Sequence, residues 1–161
     1  MQNKLHWAIH GHTAAEVVYE RIDAEKPNIG LTTWKNVPDG PIRKNDVTVA
    51  KNFLDENELR ALNRVVTMYL DYAEDQARLH IPMTMQGWAE KLDDFLRFTR
   101  RNVLTHAGKI SHKLMEEKAH REFAKFDENR RIEADRMPSD FDTFVEKTKK
   151  QTSPKKSIKK L

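Results

Sequence analysis

The strongest constraint on the fold is a run of apolar residues at steps of three and four between residues 56 and 101, interrupted once. Leu59, Leu62, Val66, Tyr69, Leu70, Ala73 and Ala77 recur with the 3.6-residue period of a helix that buries one face. Pro82 ends that helix, which is expected over about 56–80 behind an Asp55 cap. Thr84 then caps a second helix, to about 101, with Met85, Trp88, Ala89, Leu92, Phe95, Leu96 and Thr99 on one stripe. So short a connection makes the two antiparallel neighbours, a helical hairpin. The chain is therefore expected to be mostly α, a helical bundle around this hairpin.

The flanking segments fit that class. Residues 2–10 form a short helix with Leu5, Trp7 and Ile9, stopped by Gly11, and Thr13-Ala14-Ala15-Glu16 is a capping box opening a helix through about Asp23. Residues 26–46 are one long loop with Pro27, Gly30, Pro38, Gly40 and Pro41. At that length it either contains a short extended pair (30–34 with 42–44) or serves a function. Asp46 is expected to cap a helix over 47–54. Ser111 opens a charged helix to about Arg131 with a narrow stripe of Met115, Ala119, Phe123 and Phe126. After Met137-Pro138, Ser139 or Asp140 caps a last short helix bearing Phe141, Phe144 and Val145.

Charge and composition narrow the function classes. The 161 residues hold no cysteine, which excludes a disulfide scaffold, a thiolate zinc site and a cysteine nucleophile. No apolar run approaches the length of a membrane span, and the N-terminus has no signal-peptide core, so the expected location is the cytoplasm, without membrane contact. The formal net charge is +4, but Lys147, Lys149, Lys150, Lys155, Lys156, Lys159 and Lys160 contribute +7, leaving 1–146 at −3. Two parts follow: a domain over 1–146 and a disordered lysine-rich tail over 147–161. That tail either keeps a chain end solvated or lies along nucleic-acid phosphates.

Seven histidines could still build a metal site. His6 with His10, and His112 with Glu116 and His120, have the four-residue spacing of one helix face. Both sets also read as ordinary helix surface, and no His-Glu-x-x-His pattern is present. Asp71, Glu74, Asp75 and Arg78 form common i, i+3 and i, i+4 pairs, or a carboxylate face approached by Asp93 and Asp94. An enzyme reading, a metal-dependent nuclease or toxin-like effector, would use His10, His12, Glu16, Asp71, Glu74 and Asp75. Clustering in one cleft favours it and dispersal opposes it. Phosphate-cradling, nucleophile-elbow and helix-turn-helix patterns are all absent. No cofactor and no metal is expected.

A family resemblance is dense. Gln2-Asn3-Lys4-Leu5-His6, His12-Thr13-Ala14-Ala15-Glu16, Tyr19-Glu20-Arg21 and Lys26-Pro27-Asn28-Ile29-Gly30-Leu31-Thr32 resemble the second half of the bacterial RhuM virulence-protein family. The likeness continues through 47–53, 62–68, 70–77, 103–111 and 139–142, spanning about residues 2–146. It implies association with virulence and mobile elements and carries over no reaction. It also implies a preceding DNA-binding half in family members, so the chain reads as a C-terminal fragment, with DNA contact through that half or the lysine tail. Related chains occur with Fic-type domains, but the Fic motif is absent, so nucleotidyl transfer is not carried over. The expectation is a non-catalytic module for a protein partner or self-association, presenting Tyr19, Arg21, Asn28, Trp34 and Lys35. Aromatic residues beside basic ones are common in binding hot spots, and Trp34 reads equally as a cap on the core.

Overall fold

Most of the helices begin where a side chain takes up an otherwise free backbone N–H. The Thr13 hydroxyl accepts from the Glu16 N–H at 3.4 Å, and the Glu16 carboxylate accepts from the Thr13 N–H at 2.8 Å. Asp55 and Glu58 make the same reciprocal pair at 2.8 and 3.0 Å. Thr84 accepts from the Gly87 N–H and Ser111 from the Leu114 N–H. These caps begin α2 (Ala14–Arg21), α3 (Glu56–Arg78), α4 (Met85–Phe98) and α5 (His112–Arg136), after α1 (Gln2–His10). The computed structural model describes residues 1–136 and residue 145, and among them there is no strand. The expected helix around Phe141 and Phe144 and the lysine tail 147–161 lie outside the described residues.

The chain divides into two compact units, residues 1–126 and 127–161. In the second, Asp127 accepts from Arg130 at 2.6 Å and Arg131 at 2.8 Å.

Helices α2, α3 and α4 are each two to three residues shorter than their periodicity predicts. For α3 and α4 the reason is a left-handed end without glycine. His80 (φ 56°) and Arg100 (φ 58°) reverse the chain, and the next N–H groups, of Ile81 and Arg101, bond back to Gln76 and Leu96. This closes the last carbonyls as a glycine would.

Residues 26–46 contain no extended pair. The Thr32 and Thr33 N–H groups donate to the Asn52 carbonyl instead of across the loop. Asp46 does not cap a helix either. Its carboxylate turns back to accept from the Arg43 N–H (2.7 Å) and the Lys35 N–H (3.4 Å), and the backbone beyond it forms two 3-10 turns, Asp46–Thr48 and Ala50–Phe53. A third, Pro27–Gly30, places Asn28, Ile29 and Gly30 in left-handed conformations (φ 54°, 57° and 87°). For β-branched Ile29 that costs about 1–3 kcal/mol, offset by complete burial of its side chain. Gly30 lies so close to the end of α2 that a Cβ would meet the Arg21 carbonyl oxygen at 2.4 Å.

The larger core is built on α2 and these turns rather than on the hairpin. Val17, Val18, Ile22, Ile29, Val47, Phe53 and Leu54 are its buried centre, with Met115 and Ala119 of α5. A smaller cluster joins Val65 of α3 to Leu92 and Leu96 of α4, and Leu5 and Ile9 of α1 pack against both. Lys4 and Asp93, at 2.6 Å, tie α1 to α4. The stripe expected to form one buried face of α3 is buried only at Leu62, with Leu59, Val66, Tyr69 and Ala73 partly covered. Leu70 is 61% exposed and Ala77 is open to solvent. On α4 the stripe is buried at Leu92 and Leu96, and Met85 is 75% exposed. Helix α1 and the residues of the main core cover the N-terminal part of α3, α1 also reaches α4 through Lys4 and the smaller cluster, and Leu70, Met85 and Phe98 stay exposed.

Candidate functional site

Two places concentrate chemistry or uncovered apolar surface. The first lies where Gly11 turns α1 into α2. His6 and His10 face each other across one helical turn, Nδ1 to Nε2, at 3.0 Å, and the His12 Nδ1 bonds the His10 carbonyl at 2.9 Å. The helix-surface expectation fails for His6, which is buried because α1 lays this face on α2 and α3. Burial lowers the pKa of His6, and burial with the neighbouring His6 lowers His10 to about 4, so both rings are neutral at pH 7.

Behind them, Glu58 holds Arg21 through two hydrogen bonds of 2.6 Å, and the same guanidinium donates to the Phe53 carbonyl. The Arg21 hydrogen bonds pull Glu58 down to about 2 against the opposing effect of burial. The expected binding residue Arg21 is thus engaged inside the fold, joining α2 to α3 and to the last 3-10 turn.

In front of the histidines, a cavity of about 300 Å³ is lined by Trp7, His12, Glu16, Tyr19, Glu20, His106 and Lys109. The His12 Nε2 lies 3.2 Å from Glu20, and Trp7 meets His106 edge-on at 4.7 Å between ring centres. Burial raises the Glu16 pKa, but the N–H groups of Lys109 and Thr13 and the Thr13 hydroxyl outweigh it, leaving the carboxyl below its usual range. Gly108 makes this possible: its φ of 89° brings the Lys109 N–H to Glu16 at 2.6 Å, in a gap where a Cβ would strike Thr13. Tyr19 lies beneath the Lys118 ammonium, 4.3 Å from its ring centre. The structure therefore gathers His10, His12, Glu16 and Tyr19, four expected residues, around one turn.

The other expected residues lie elsewhere. Asp71, Glu74 and Asp75 are exposed on α3, no ion pair among the described residues joins them to Arg78, and the approaching carboxylate Asp93 is taken by Lys4. Among the described residues no three His, Asp or Glu side chains converge to hold a metal ion. His112 and Glu116 pair at 3.3 Å on an exposed face. Trp34 packs against the main core and donates from Nε1 to the Gly40 carbonyl at 2.8 Å, while Asn28 belongs to the left-handed turn. Lys35 contributes its backbone N–H to Asp46.

The second place is a groove of about 380 Å³ between α3 and α4, lined by Tyr72, Lys91, Asp94, Phe95 and Phe98. Tyr69 positions it: its ring contacts Tyr72, Trp88 and Phe95, and its hydroxyl donates to the Trp88 carbonyl at 2.6 Å. Phe98 is 86% exposed at one end of the groove. Sequence reasoning missed Trp7, Glu20, His106 and Lys109, since residues 93 apart, as Glu16 and Lys109 are, carry no spacing signal. It also missed Phe98, whose one signal is an aromatic side chain just off the apolar stripe of α4.

The model of the virulence protein RhuM family matches residues 1–134. No curated protein and no solved structure matches the chain.

Proposed function

The chain belongs to the virulence protein RhuM family, and from that premise we propose that it is a non-catalytic module that binds a protein partner or itself, acting in the cytoplasm. One observation carries this reading: the apolar face of the α3–α4 pair is left open. Phe98 is 86% exposed at a groove with Tyr72 and Phe95 in its wall, and Met85 and Leu70 are 75% and 61% exposed elsewhere on the two helices. Large contiguous apolar surface on a folded protein marks an interaction site, and aromatic anchors with a charged rim are the composition of a binding hot spot. No helix among the described residues is long and apolar enough to cross a membrane, so this surface is not read as a bilayer span.

The test is a photo-crosslinking residue placed at Phe98 of the full chain in cells, with the same residue at exposed Glu117 as control. A discrete adduct from position 98 and none from 117 is the expected result. Equal labelling from both positions, or none from 98, overturns the reading.

A second reading, a metal-dependent nuclease or toxin-like effector, has His10, His12 and Glu16 around one turn in its support, the imidazole and carboxylate types that acid–base catalysis uses, and the placing of Asp71, Glu74 and Asp75 apart on α3 against it. It predicts a rise in melting temperature with Mg²⁺, Mn²⁺ or Zn²⁺ that His12→Ala removes. A melting temperature indifferent to all three overturns it.

A further inference from the structure

Resting on the partner-binding reading, we infer that the occupant of the α3–α4 groove is a second copy of this chain, related to the first by a two-fold axis passing through the groove. Two observations identify the occupant. The first is the charge pattern of the rim. Lys91 and Asp94 both line the groove, opposite in sign and three residues apart on α4. A two-fold axis between them sets Lys91 of each copy against Asp94 of the other, forming the contact twice, because an isologous interface pairs residue i with j and j with i. Lys91 makes no ion pair among the described residues. Asp94 has only an exposed partner, Arg97 at 3.3 Å, of the kind worth little in water and easily shared. A rim that alternates in sign does not select a polyanion or an anionic surface; it matches a surface that alternates in reverse, which its own copy provides.

The second observation is how much of the two helices is uncovered. Met68 and Leu79 lie four and seven residues from Tyr72, on its side of α3, and both are exposed, continuing the groove wall along the helix. Two amphipathic helices with one side packed and the other apolar form half of a four-helix arrangement, and two copies placed face to face complete it. The same axis sets Phe98 of each copy against the first turns of the other copy's α4.

The experiment is light scattering on the purified full chain across a concentration series, with charge-swapped variants. The wild type is expected to reach twice the 18.9 kDa chain mass. Lys91→Glu and Asp94→Lys each place like charges across the axis twice, and each is expected to raise the dimer dissociation constant by about tenfold or more. Mixing the two variants restores the dimer. In the mixed pair the introduced glutamate of one copy meets the introduced lysine of the other, while the native Lys91 and Asp94 meet at the second contact. The double variant K91E/D94K restores it as well. Both sites are exposed, and circular dichroism checks that helicity is kept; if a swap unfolds the chain, Lys91→Gln and Asp94→Asn serve in its place with smaller losses. A wild-type monomer at every concentration overturns the inference, as does a dimer unmoved by both single swaps or singles that fail to rescue each other. The crosslink at position 98 separates the two readings. An adduct of twice the chain mass supports self-association. An adduct with a different protein overturns it and leaves partner binding standing.

Discussion

The α2 region and the α3–α4 pair make opposite use of similar apolar content. Around α2, one short helix and three 3-10 turns bury Val17, Val18, Ile29, Val47, Phe53 and Leu54 to 2% exposure or less. The α3–α4 pair has the longer helices and the clearer amphipathic stripes, yet leaves Leu70, Met85 and Phe98 mostly in water. Amphipathicity measures what a helix is able to bury, and whether it does so depends on finding a partner surface. The irregular region is closed because its loop backbone is satisfied internally, through Asp46, Asn52 and the Arg21–Glu58 pair. The regular region satisfies its own backbone and so can remain open on one side.

That contrast is sharpest under large-to-small substitution. Phe53→Ala should cost about 3–5 kcal/mol, whereas Leu70→Ala should stay within about 0.5 kcal/mol; urea midpoints of the two variants measure the difference. A comparable loss at both sites would break the comparison.

Next in size is the link between the regions. Glu58→Ala leaves the Arg21 guanidinium unpaired and removes half of the Asp55 capping box, so about 2–3 kcal/mol should be lost, after allowing for the partial exposure of both groups. Glu58→Gln should recover part of that loss by keeping a hydrogen-bond acceptor for Arg21.

Acid should open the same junction in two steps. Native His10 titrates near pH 4, below the 6.5 of an unfolded histidine. The unfolded chain therefore binds the proton first as pH falls, and stability present above pH 6.5 declines down to about 4, by on the order of 2 kcal/mol. Glu58, held near 2 against an ordinary 4.5, keeps its contribution above pH 4.5 and loses it as pH falls through 2. His10→Gln should shrink the upper step to the part that buried His6 adds and leave the lower one, as read from melting temperature against pH.

The smallest effects concern caps. Thr13→Ala should cost about 1 kcal/mol, since it opens a buried capping box, and Thr84→Ala about half of that, because the start of α4 is exposed. Equal losses would mean that the α4 end of the molecule is held more tightly than its exposure indicates.

Much of the local structure was legible in the residues. Thr13, Asp55, Thr84 and Ser111 announce four helix starts because a short oxygen-bearing side chain near an amphipathic run has one good use there. The ends of α3 and α4 were not legible, because His80 and Arg100 adopt a conformation usually left to glycine. The form of the loop over 26–46 was not legible either, since its hydrogen bonds go to Asn52 and Asp46 and not across itself. Of the candidate site, His10, His12, Glu16 and Tyr19 were visible as residue types near one turn, while Trp7, Glu20, His106 and Lys109 entered it through packing alone.

By itself the amino-acid sequence determined the helical class, the helix starts at Thr13, Asp55, Thr84 and Ser111 and the family, because each depends on chemistry within a few residues or on a pattern spread along the chain. Only the tertiary structure decided that Arg21 is engaged by Glu58, that His6 is buried and that Phe98 stands open beside Tyr72. Those outcomes depend on which face of one helix meets which face of another. Periodicity marks the faces that can be buried, and packing among distant segments selects the ones that are.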